Sequence, residues 1–190
     1  MVSGLGAAVA AGVIGLAWAG AAGARTTVFG GGMAQACSES ARAVAESHPP
    51  HADAIGECSR AIEEEVLNRR DLAATFVNRG VLHLTLADYA DARSDFDRAV
   101  ELMPGMGEAY VNRGAALIGL SQETAAIAQI DQGLTLNPEE PEKAYFNRAL
   151  AKERVNDLKG AYADFQKALA LKPDWPAPKQ ELARYSVVAR

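Results

Sequence analysis

The amino-acid sequence predicts an all-α protein, an α-α superhelix of three full helical repeats, with a degenerate N-terminal helical hairpin before them and a C-terminal capping helix after them. The first observation is that the tripeptide Asn-Arg-Gly at 78–80 returns at 112–114, and again as Asn-Arg-Ala at 147–149. Intervals of 34 and 35 residues are typical of helical-hairpin repeats. The second observation is that small and large apolar residues and a closing proline follow each copy at the same phase. They are Ala92, Phe96, Ala99 and Pro104, then Ala126, Ile130, Gly133 and Pro138, then Ala161, Phe165, Ala168 and Pro173.

The composition favours closely packed helices and excludes one class of partner. Of the 190 residues 49% are hydrophobic but only 6% aromatic, and much of the apolar content is alanine and leucine. Small side chains allow helix axes to approach each other. The net charge is −5, and basic side chains are interspersed with acidic ones. Because no basic patch could neutralise a phosphate backbone, we expect no nucleic acid partner.

Residues 1–24 contain no charged side chain and end in Ala22-Gly23-Ala24, directly before Arg25. This pattern is typical of a secretory signal peptide with an A-x-A cleavage site, which would make the protein periplasmic or secreted. No Lys or Arg precedes the apolar stretch, and it is long enough to cross a bilayer. An uncleaved membrane anchor facing the periplasm and a misplaced start are therefore alternatives, although glycines throughout the stretch disfavour a stable helix.

The two cysteines, Cys37 and Cys58, fit the export interpretation, because an even pair in an exported chain suggests a disulfide. Acylation of Cys37, as in a lipoprotein, is an alternative that the preceding Ala34-Gln35-Ala36 does not favour. In a cytosolic protein both cysteines would be small buried hydrophobes.

The first expected elements form the degenerate hairpin at 35–72, which follows a flexible leader at 25–34. Its helices are expected at 35–47 and 52–67, and His48-Pro49-Pro50-His51 separates them because a double proline cannot continue a helix. A disulfide between Cys37 and Cys58 would hold these two helices together.

The three full repeats are expected at 73–106, 107–140 and 142–175. Within the first repeat we expect helix A at 74–86, a turn at 87–88 and helix B at 90–103. The capping helix follows in 176–190, with its helical part at 176–188. It opens with prolines that suit a first helical turn, and it would cover the apolar edge of the last repeat.

The repeated pattern resembles the tetratricopeptide repeat (TPR) family, a helix-turn-helix with an aromatic at position 4, Gly or Ala at 8, an aromatic near 17, Ala at 20 and 27, a large apolar residue at 24 and Pro at 32. Glu123 and Leu158 depart from the aromatic at position 17, and Gly133 replaces Ala, which is expected to loosen the second repeat. Small residues at position 8 would lie where helix A meets helix B. The remaining matches are Phe76, Gly80 and Tyr89, then Tyr110 and Gly114, then Tyr145 and Ala149.

The resemblance implies a TPR solenoid, a right-handed superhelix whose concave groove is lined by the A helices and binds a peptide or partner protein. The ladder of three asparagines in the groove suits an extended peptide backbone, or alternatively bonds to the backbone of the adjacent repeat. Carried over from the family, the groove positions are Val77, Asn78, Val81, Leu84 and Thr85, then Glu108, Val111, Asn112, Ala115 and Ile118, then Lys143, Phe146, Asn147, Leu150, Glu153 and Arg154.

Some family members clamp the C-terminal carboxylate of a chaperone, and this sequence matches two of the five clamp positions. The five positions hold Val77, Val81, Asn112, Lys143 and Asn147. The mismatch makes such a ligand a poor candidate.

Each repeat carries an arginine at position 7, where the family has an apolar residue. In the first and third repeats an Asp follows sixteen residues later, which predicts an ion pair within the repeat. Arg113 meets Gln129 at that spacing, so its acid is expected to be Asp131 or an Asp of a neighbouring repeat. The alternative is that the arginines point into the groove as ligand contacts. The expected structural ion pairs are Arg79–Asp95 and Arg148–Asp164.

The sequence shows no nucleophile beside a base and no cofactor motif, so we expect neither an enzyme nor a cofactor. His48 and His51 lack a third ligand and make a weak metal site. His83 is expected to pack against a neighbour, and Glu63-Glu64-Glu65 to be a solvated helix end. The prediction is a non-catalytic protein–protein interaction module with no small-molecule substrate. The alternative is a membrane-tethered assembly factor or subunit of a cell-envelope complex, if residues 1–24 stay attached.

Overall fold

The structure is a computed structural model in which residues 32–45 and 52–185 are described, and these residues form nine α-helices and no strand. The all-α class and the α-α superhelix are thereby confirmed. The predicted signal peptide, residues 25–31 of the leader, the double-proline breaker and the last five residues lie outside the described residues. The helices are α1 (Gly32–Ala45), α2 (Ala54–Glu64), α3 (Arg69–Thr85), α4 (Tyr89–Leu102), α5 (Gly107–Gly119), α6 (Glu123–Thr135), α7 (Pro141–Arg154), α8 (Leu158–Leu171) and α9 (Pro176–Tyr185).

The helices stack as antiparallel pairs in chain order. The pairs α3/α4, α5/α6 and α7/α8 are the three repeats, and the B helix of each repeat also contacts the A helix of the next. On the B helices, the apolar residues at positions 20 and 24 have no exposed surface. Each pair therefore buries its apolar face only by stacking on its neighbours, as in other repeat proteins. These residues are Ala92, Phe96, Ala126, Ile130, Ala161 and Phe165.

Small residues at position 8 let each A helix lie directly on its own B helix. A Cβ atom added to Gly80 would lie 2.6 Å from Cε1 of Phe96, and one added to Gly114 would lie 2.4 Å from Cγ1 of Ile130. The third repeat has Ala149 at this position, fully buried in the core. The role that the sequence assigns to position 8 is the one that the packing shows.

Gly133 makes a second close approach in the middle repeat. A Cβ atom on Gly133 would lie 2.7 Å from Cγ2 of Val111 and 2.9 Å from the carbonyl oxygen of Gly107. The expectation that Gly133 loosens this repeat is wrong, because glycine here allows the backbones of α5 and α6 to come together.

The helix boundaries differ from the predicted ones mainly at N-termini. Helix α3 begins at Arg69 rather than at 74, because the side chain of Asn68 accepts hydrogen bonds from the backbone N–H groups of Arg70 and Asp71 at 3.0 and 2.9 Å. Such a cap satisfies donors that have no partner within the helix. Helix A of the first repeat thus begins inside the segment 35–72 that was predicted as hairpin, and α2 ends at Glu64 rather than at 67.

Helix α1 spans Gly32–Ala45 instead of the predicted 35–47, so the last residues of the predicted leader are helical. The carboxylate of Glu65 accepts hydrogen bonds from the backbone N–H groups of Met33 and Ala34, at 2.9 and 3.3 Å. A carboxylate at a helix N-terminus also interacts favourably with the helix dipole. For Glu65 the expectation of a solvated helix end is therefore wrong.

A disulfide between Cys37 and Cys58 joins α1 to α2. Both cysteines are fully buried, and they lie in a cluster with Ala54 of α2 and Leu82 of α3. Helix α1 contacts α3 as well as α2. The N-terminal hairpin thus closes the first end of the stack.

Helix α9 closes the other end of the stack in the way that the sequence predicts. Trp175, just before α9, lies 4.9 Å from the ring centroid of Phe146, and Tyr185 lies 6.1 Å from that of Phe165. Leu182 of α9 packs against the same cluster. Among the described helices, none combines the length and the apolar character that crossing a bilayer requires.

The turn between helix A and helix B has a left-handed residue at the same position of every repeat. Position 15 is Ala87 with φ 61°, Ser121 with φ 57° and Asn156 with φ 64°. An L-residue with a Cβ is strained in this region by about 1–2 kcal/mol, and asparagine tolerates it better than alanine does. The repeat geometry therefore imposes the conformation, whichever side chain is present.

Replacing Ala87 by Gly is expected to raise the free energy of unfolding by about 0.5–1 kcal/mol, because glycine relieves the backbone strain of the folded state. Part of this gain is offset because glycine also increases the conformational entropy of the unfolded chain. The matched control is Asn156→Gly, for which we expect a smaller change. Urea unfolding followed by circular dichroism measures both. A loss of stability in Ala87→Gly, or equal effects at the two positions, would contradict the strain argument.

Candidate functional site

The arginines at position 7 pair with the B helices. Nε and Nη2 of Arg79 donate to Asp95 at 2.9 and 2.6 Å, and the same two atoms of Arg148 donate to Asp164 at 2.8 and 2.6 Å. The hydrogen bonds to Asp164 raise the pKa of Arg148 above its ordinary value, and those to Asp95 do the same for Arg79. Both arginines therefore stay charged, and both expected pairs are present.

The third nitrogen of each arginine reaches the preceding hairpin. Nη1 of Arg79 donates to Oγ of Ser59 on α2 at 3.0 Å, and Nη1 of Arg148 donates to Oδ1 of Asp131 on α6 at 2.6 Å. In the middle repeat, Nη1 of Arg113 donates to Oδ1 of Asp97 on α4 at 3.0 Å. Each arginine thus connects its own repeat to the one before it.

Arg113 differs from the other two arginines in its partners within the repeat. Its Nη2 donates to the side-chain oxygen of Gln129, as the spacing predicts. Its acid is Asp97, the neighbouring-repeat alternative, and not Asp131, which pairs with Arg148 instead. The reason is geometric, because an Asp two positions after the intra-repeat partner faces the arginine of the following repeat.

An aromatic ring at position 4 supports each guanidinium. The Cζ atoms of the three arginines lie 5.5, 5.1 and 5.2 Å from the ring centroids of Phe76, Tyr110 and Tyr145. Contacts at these distances are favourable cation–π interactions. Since every arginine is held by helix-B groups and by an aromatic ring, the arrangement favours the ion-pair interpretation over the groove-ligand alternative. We call this set of contacts the arginine ladder.

The predicted groove residues lie on α3, α5 and α7, and most of them are buried. The half-buried positions are Thr85, Glu108, Lys143, Leu150 and Glu153, and Arg154 is exposed at the end of α7. The apolar positions pack between adjacent A helices or against a B helix. The fully or nearly fully buried groove residues, here called the concave floor, are Val77, Asn78, Val81, Leu84, Val111, Asn112, Ala115, Ile118, Phe146 and Asn147.

Two asparagines of the concave floor have no hydrogen-bond partner. Asn112 and Asn147 have no exposed surface, and neither the oxygen nor the nitrogen of either amide is hydrogen-bonded in the described part of the chain. The alternative in which these asparagines bond to the backbone of the adjacent repeat is therefore not what the structure shows. Asn78, at the same position of the first repeat, keeps 7% of its surface exposed.

The charged residues at groove positions are occupied by internal partners. Nζ of Lys143 lies 2.8 Å from the carboxylate of Glu140, and the carboxylate of Glu153 lies 3.0 Å from Nη2 of Arg184. The carboxylate of Glu108 accepts a hydrogen bond of 2.9 Å from the backbone N–H of Glu139.

At the end of α7, between the second and third repeats, a charged side chain makes the contact that is apolar between the first two repeats. Nη1 of Arg154 donates to the carbonyl oxygen of Ile118 at 3.0 Å and lies 3.4 Å from Glu123. At the corresponding junction between the first two repeats, the ring of Tyr89 packs on Gly119. A Cβ atom added to Gly119 would lie 2.3 Å from Cδ1 of Tyr89. In the sequence, Glu123 is recognisable only as a departure from the aromatic at position 17. The opposite charge at position 13 of the following repeat is the signal that could have identified its partner.

The described residues form no cluster of potential metal ligands. No group of three or more potential metal ligands is present in the two described ranges, and His48 and His51 lie outside them. His83 packs beside acidic neighbours, with Nδ1 3.7 Å from Asp88 and Nε2 4.0 Å from Asp95.

Comparison with protein families gives a match for one of the three repeats. Residues 142–174, the third repeat, match the profile of the family described as Tetratricopeptide repeat. The Hsp70-Hsp90 organizing protein of Triticum aestivum is 31% identical over 98 residues, which cover 52% of this chain and 14% of the wheat protein. The chain spans 14 to 39% of the lengths of curated relatives that it matches. These matches support the TPR family for the repeat region.

Solved structures show the same fold. PilW, described as a widely conserved type IV pilus biogenesis factor, superposes with a TM-score of 0.68 at 21% identity, over 83% of this chain and 68% of PilW. The first TPR of Spaghetti (RPAP3), bound to the HSP90 peptide SRMEEVD, superposes with a TM-score of 0.57 at 22% identity, over 61% of this chain and 91% of that one. At these identities the likeness establishes the TPR solenoid fold alone.

Replacing Arg79 by Met is expected to lower the free energy of unfolding by about 2–3 kcal/mol, because it leaves the carboxylate of Asp95 buried without its bidentate partner. The matched variant Arg148→Met should cost less, since Nζ of Lys152 remains 2.8 Å from Asp164. Adding Asp95→Leu to Arg79→Met should recover more than half of the loss. Urea unfolding of the unaltered protein, the two single arginine variants and the double variant measures these free energies. Equal losses of stability in the two arginine variants would contradict the prediction.

Proposed function

We propose that this protein is a non-catalytic interaction module that binds a peptide segment or a partner protein on the concave side of α3, α5 and α7. The observation that carries the proposal is the pair of buried amides without partners, Asn112 and Asn147. They occupy the same position in successive repeats and project from adjacent A helices. No comparable amide stands without a partner on the B helices of the described residues.

The energetic argument is that a buried amide without a hydrogen bond costs about 1–3 kcal/mol. A side-chain amide offers two donors and an acceptor, which match the carbonyl and N–H groups of a peptide backbone. A partner backbone that reaches Asn112 and Asn147, by displacing the side chains that now cover them, would satisfy both amides and remove this cost.

The chemistry of the groove indicates an uncharged, apolar partner segment. The concave floor is apolar apart from its asparagines, and Lys143, Glu153 and Glu108 are already paired within the chain. A partner carrying several carboxylates would have to be neutralised by cations that are otherwise engaged. The acidic peptide SRMEEVD bound by the first TPR of Spaghetti (RPAP3) is therefore a poor fit here.

The comparisons support the general kind of partner. The structure of that TPR contains a bound peptide, and the name of the wheat relative describes a protein that organises two chaperones. Because fold does not fix function, the partner of this chain follows from its own groove residues. Those residues point to a protein or peptide and offer no pocket of catalytic groups.

The proposed compartment is the periplasm or another exported space. The uncharged stretch 1–24 with its A-x-A end supports export, and the buried disulfide between Cys37 and Cys58 suits an oxidising environment. The second candidate is a membrane-tethered assembly factor or subunit of a cell-envelope complex. The apolar character and length of 1–24 favour it, if this segment remains attached.

Replacing Asn112 and Asn147 together by Leu is expected to raise the free energy of unfolding by about 1 kcal/mol or more while abolishing partner capture. Leucine keeps the branch at Cγ and removes the polar groups that lack partners. Capture is measured with a photo-crosslinking residue at Leu150, on the groove side of α7, in cells of the source organism. The matched control is the same residue at Leu171, exposed on α8.

The expected result is a discrete adduct from position 150 that is absent from position 171 and disappears in the double leucine variant. Asn78→Leu, at the partly exposed equivalent position, should stabilise less. Equal adducts from both crosslinking positions, or an adduct that persists in the double variant, would count against the concave groove.

Mass spectrometry of the mature N-terminus separates the two candidate locations. Cleaved export predicts that the protein isolated from its native cells begins at Arg25. A protein that keeps residues 1–24 and sediments with the membrane fraction would instead establish the tether and contradict cleavage.

A further inference from the structure

The A helices α5 and α7 each turn one face towards the preceding hairpin. On α7 this face includes Ala144, Asn147 and Ala151, which lie in one stripe because they are spaced by three and four residues. Both alanines are fully buried in a cluster with apolar residues of α5 and α6. Asn147, which lies between them, therefore faces the α5/α6 hairpin, and the stripe ends at Arg154.

The equivalent stripe on α5 consists of Ala109, Asn112 and Ala116, and its alanines are buried among residues of α3 and α4. We call the contact of α5 with the α3/α4 hairpin the first boundary, and the contact of α7 with the α5/α6 hairpin the second boundary. In the described part of the chain, the asparagine of neither stripe has a hydrogen-bond partner. The two boundaries differ at the end of the stripe, where α5 has Gly119 and α7 has Arg154.

Arg154 closes the second boundary through contacts that can be released without leaving a buried group unpaired. Its Nη1 donates to the carbonyl oxygen of Ile118 at 3.0 Å and lies 3.4 Å from Glu123. The same carbonyl also accepts a hydrogen bond of 3.1 Å from the backbone N–H of Ser121, so it keeps a partner when Arg154 leaves. Arg154 is itself exposed, so water solvates its guanidinium after release.

The other polar contacts of this boundary hold the opposite end of α7. Helix α7 begins at Pro141, directly after its linker from α6, and the backbone N–H of Glu139 in this linker donates to Glu108 at 2.9 Å. Nη1 of Arg148, in the middle of α7, donates to Asp131 on α6 at 2.6 Å. The beginning of α7 is thus fixed to the preceding hairpin, and its last residue makes the exposed contact.

We propose that Arg154 is a latch at the second boundary, and that its release from Ile118 lets the end of α7 move away from α5 and opens Asn147 to a partner. Helices α8 and α9 move with α7, because all three share one apolar cluster. In the closed state a buried amide lacks hydrogen bonds, so opening removes a cost. The inference rests on the proposed function and adds how a partner backbone reaches the buried amide.

The end of the stripe makes the second boundary easier to open than the first. Both stripes carry alanines, and an alanine side chain buries little apolar surface. Opening the first boundary would separate the ring of Tyr89 from Gly119 and expose a large apolar group. Opening the second boundary moves a charged group that already contacts solvent. The second boundary is therefore expected to open more often than the first.

Maleimide labelling of introduced cysteines in the full chain tests the latch without any partner. Ala151→Cys reports on the second boundary, and Ala116→Cys, at the same position of the preceding repeat and equally buried, reports on the first. The two native cysteines are joined to each other and do not react. We expect faster labelling of Ala151→Cys than of Ala116→Cys, at rates that do not depend on urea below the unfolding transition, because the opening is local.

Adding Arg154→Met removes the donor and keeps a long apolar side chain. We expect it to raise the labelling rate of Ala151→Cys by about tenfold, as loss of a charge-assisted hydrogen bond implies, and to leave that of Ala116→Cys unchanged. The matched control is Arg60→Met, which removes an exposed ion pair with Asp53 on the N-terminal hairpin and should change neither rate.

Equal labelling rates at the two positions in the unaltered background would overturn the proposal. An effect of Arg154→Met that is absent at Ala151→Cys, or equally large at Ala116→Cys, would overturn it too, because the latter indicates loss of global stability. The same variant should raise the yield of the crosslinked adduct at position 150, and an unchanged yield would overturn the link between the latch and binding. Labelling needs no partner, so a missing adduct in the unaltered protein counts against the proposed function, whereas the labelling rates decide the latch.

Discussion

The hydrogen bonds of the arginine at position 7 are the interactions on which the register of the stacked helices depends. Apolar burial stabilises the helix pairs but is not directional, and alanine-rich faces can slide past each other. The arginine fork fixes distances in two directions at once, because it holds an acceptor on its own B helix and another on the preceding hairpin. Arg79, Arg113 and Arg148 repeat this double contact. Planar bidentate geometry makes such contacts sensitive to register.

The junctions between repeats show how the same backbone arrangement accepts different chemistry. Between the first two repeats an aromatic ring, Tyr89, packs on a glycine, Gly119, and between the next two the charges of Glu123 and Arg154 meet. The third residue of this series, Leu158, is 49% exposed. Each junction is matched as a pair, so a substitution at one member changes what the other can do. In every repeat the arginine at position 7 nevertheless contacts its own B helix and the preceding hairpin, which keeps the repeats in register across these differences.

The sequence could predict the fold and its core because both follow from period alone. Three copies in phase placed Phe96, Ile130 and Phe165 inside, and an Asp sixteen residues after Arg79 could be recognised as its partner. The cap of α1 by Glu65 and the contact of Arg113 with Asp97 could not be recognised in this way. Both depend on how one hairpin is placed against the next, and a spacing within a single repeat contains no information about that placement.

The environment of the groove residues likewise could not be predicted from the spacing of the repeats. Resemblance identified the positions on the A helices, but whether Asn112 and Asn147 are free, paired or buried depends on the surroundings of each helix and not on its period. Internal pairing of Lys143 and Glu153 was likewise beyond the sequence pattern, and it decides the chemistry of the site. A groove whose charges are satisfied discriminates against charged partners by the cost of separating those pairs. In the proposed function, selectivity for an uncharged backbone therefore arises from the contacts that hold the rim together.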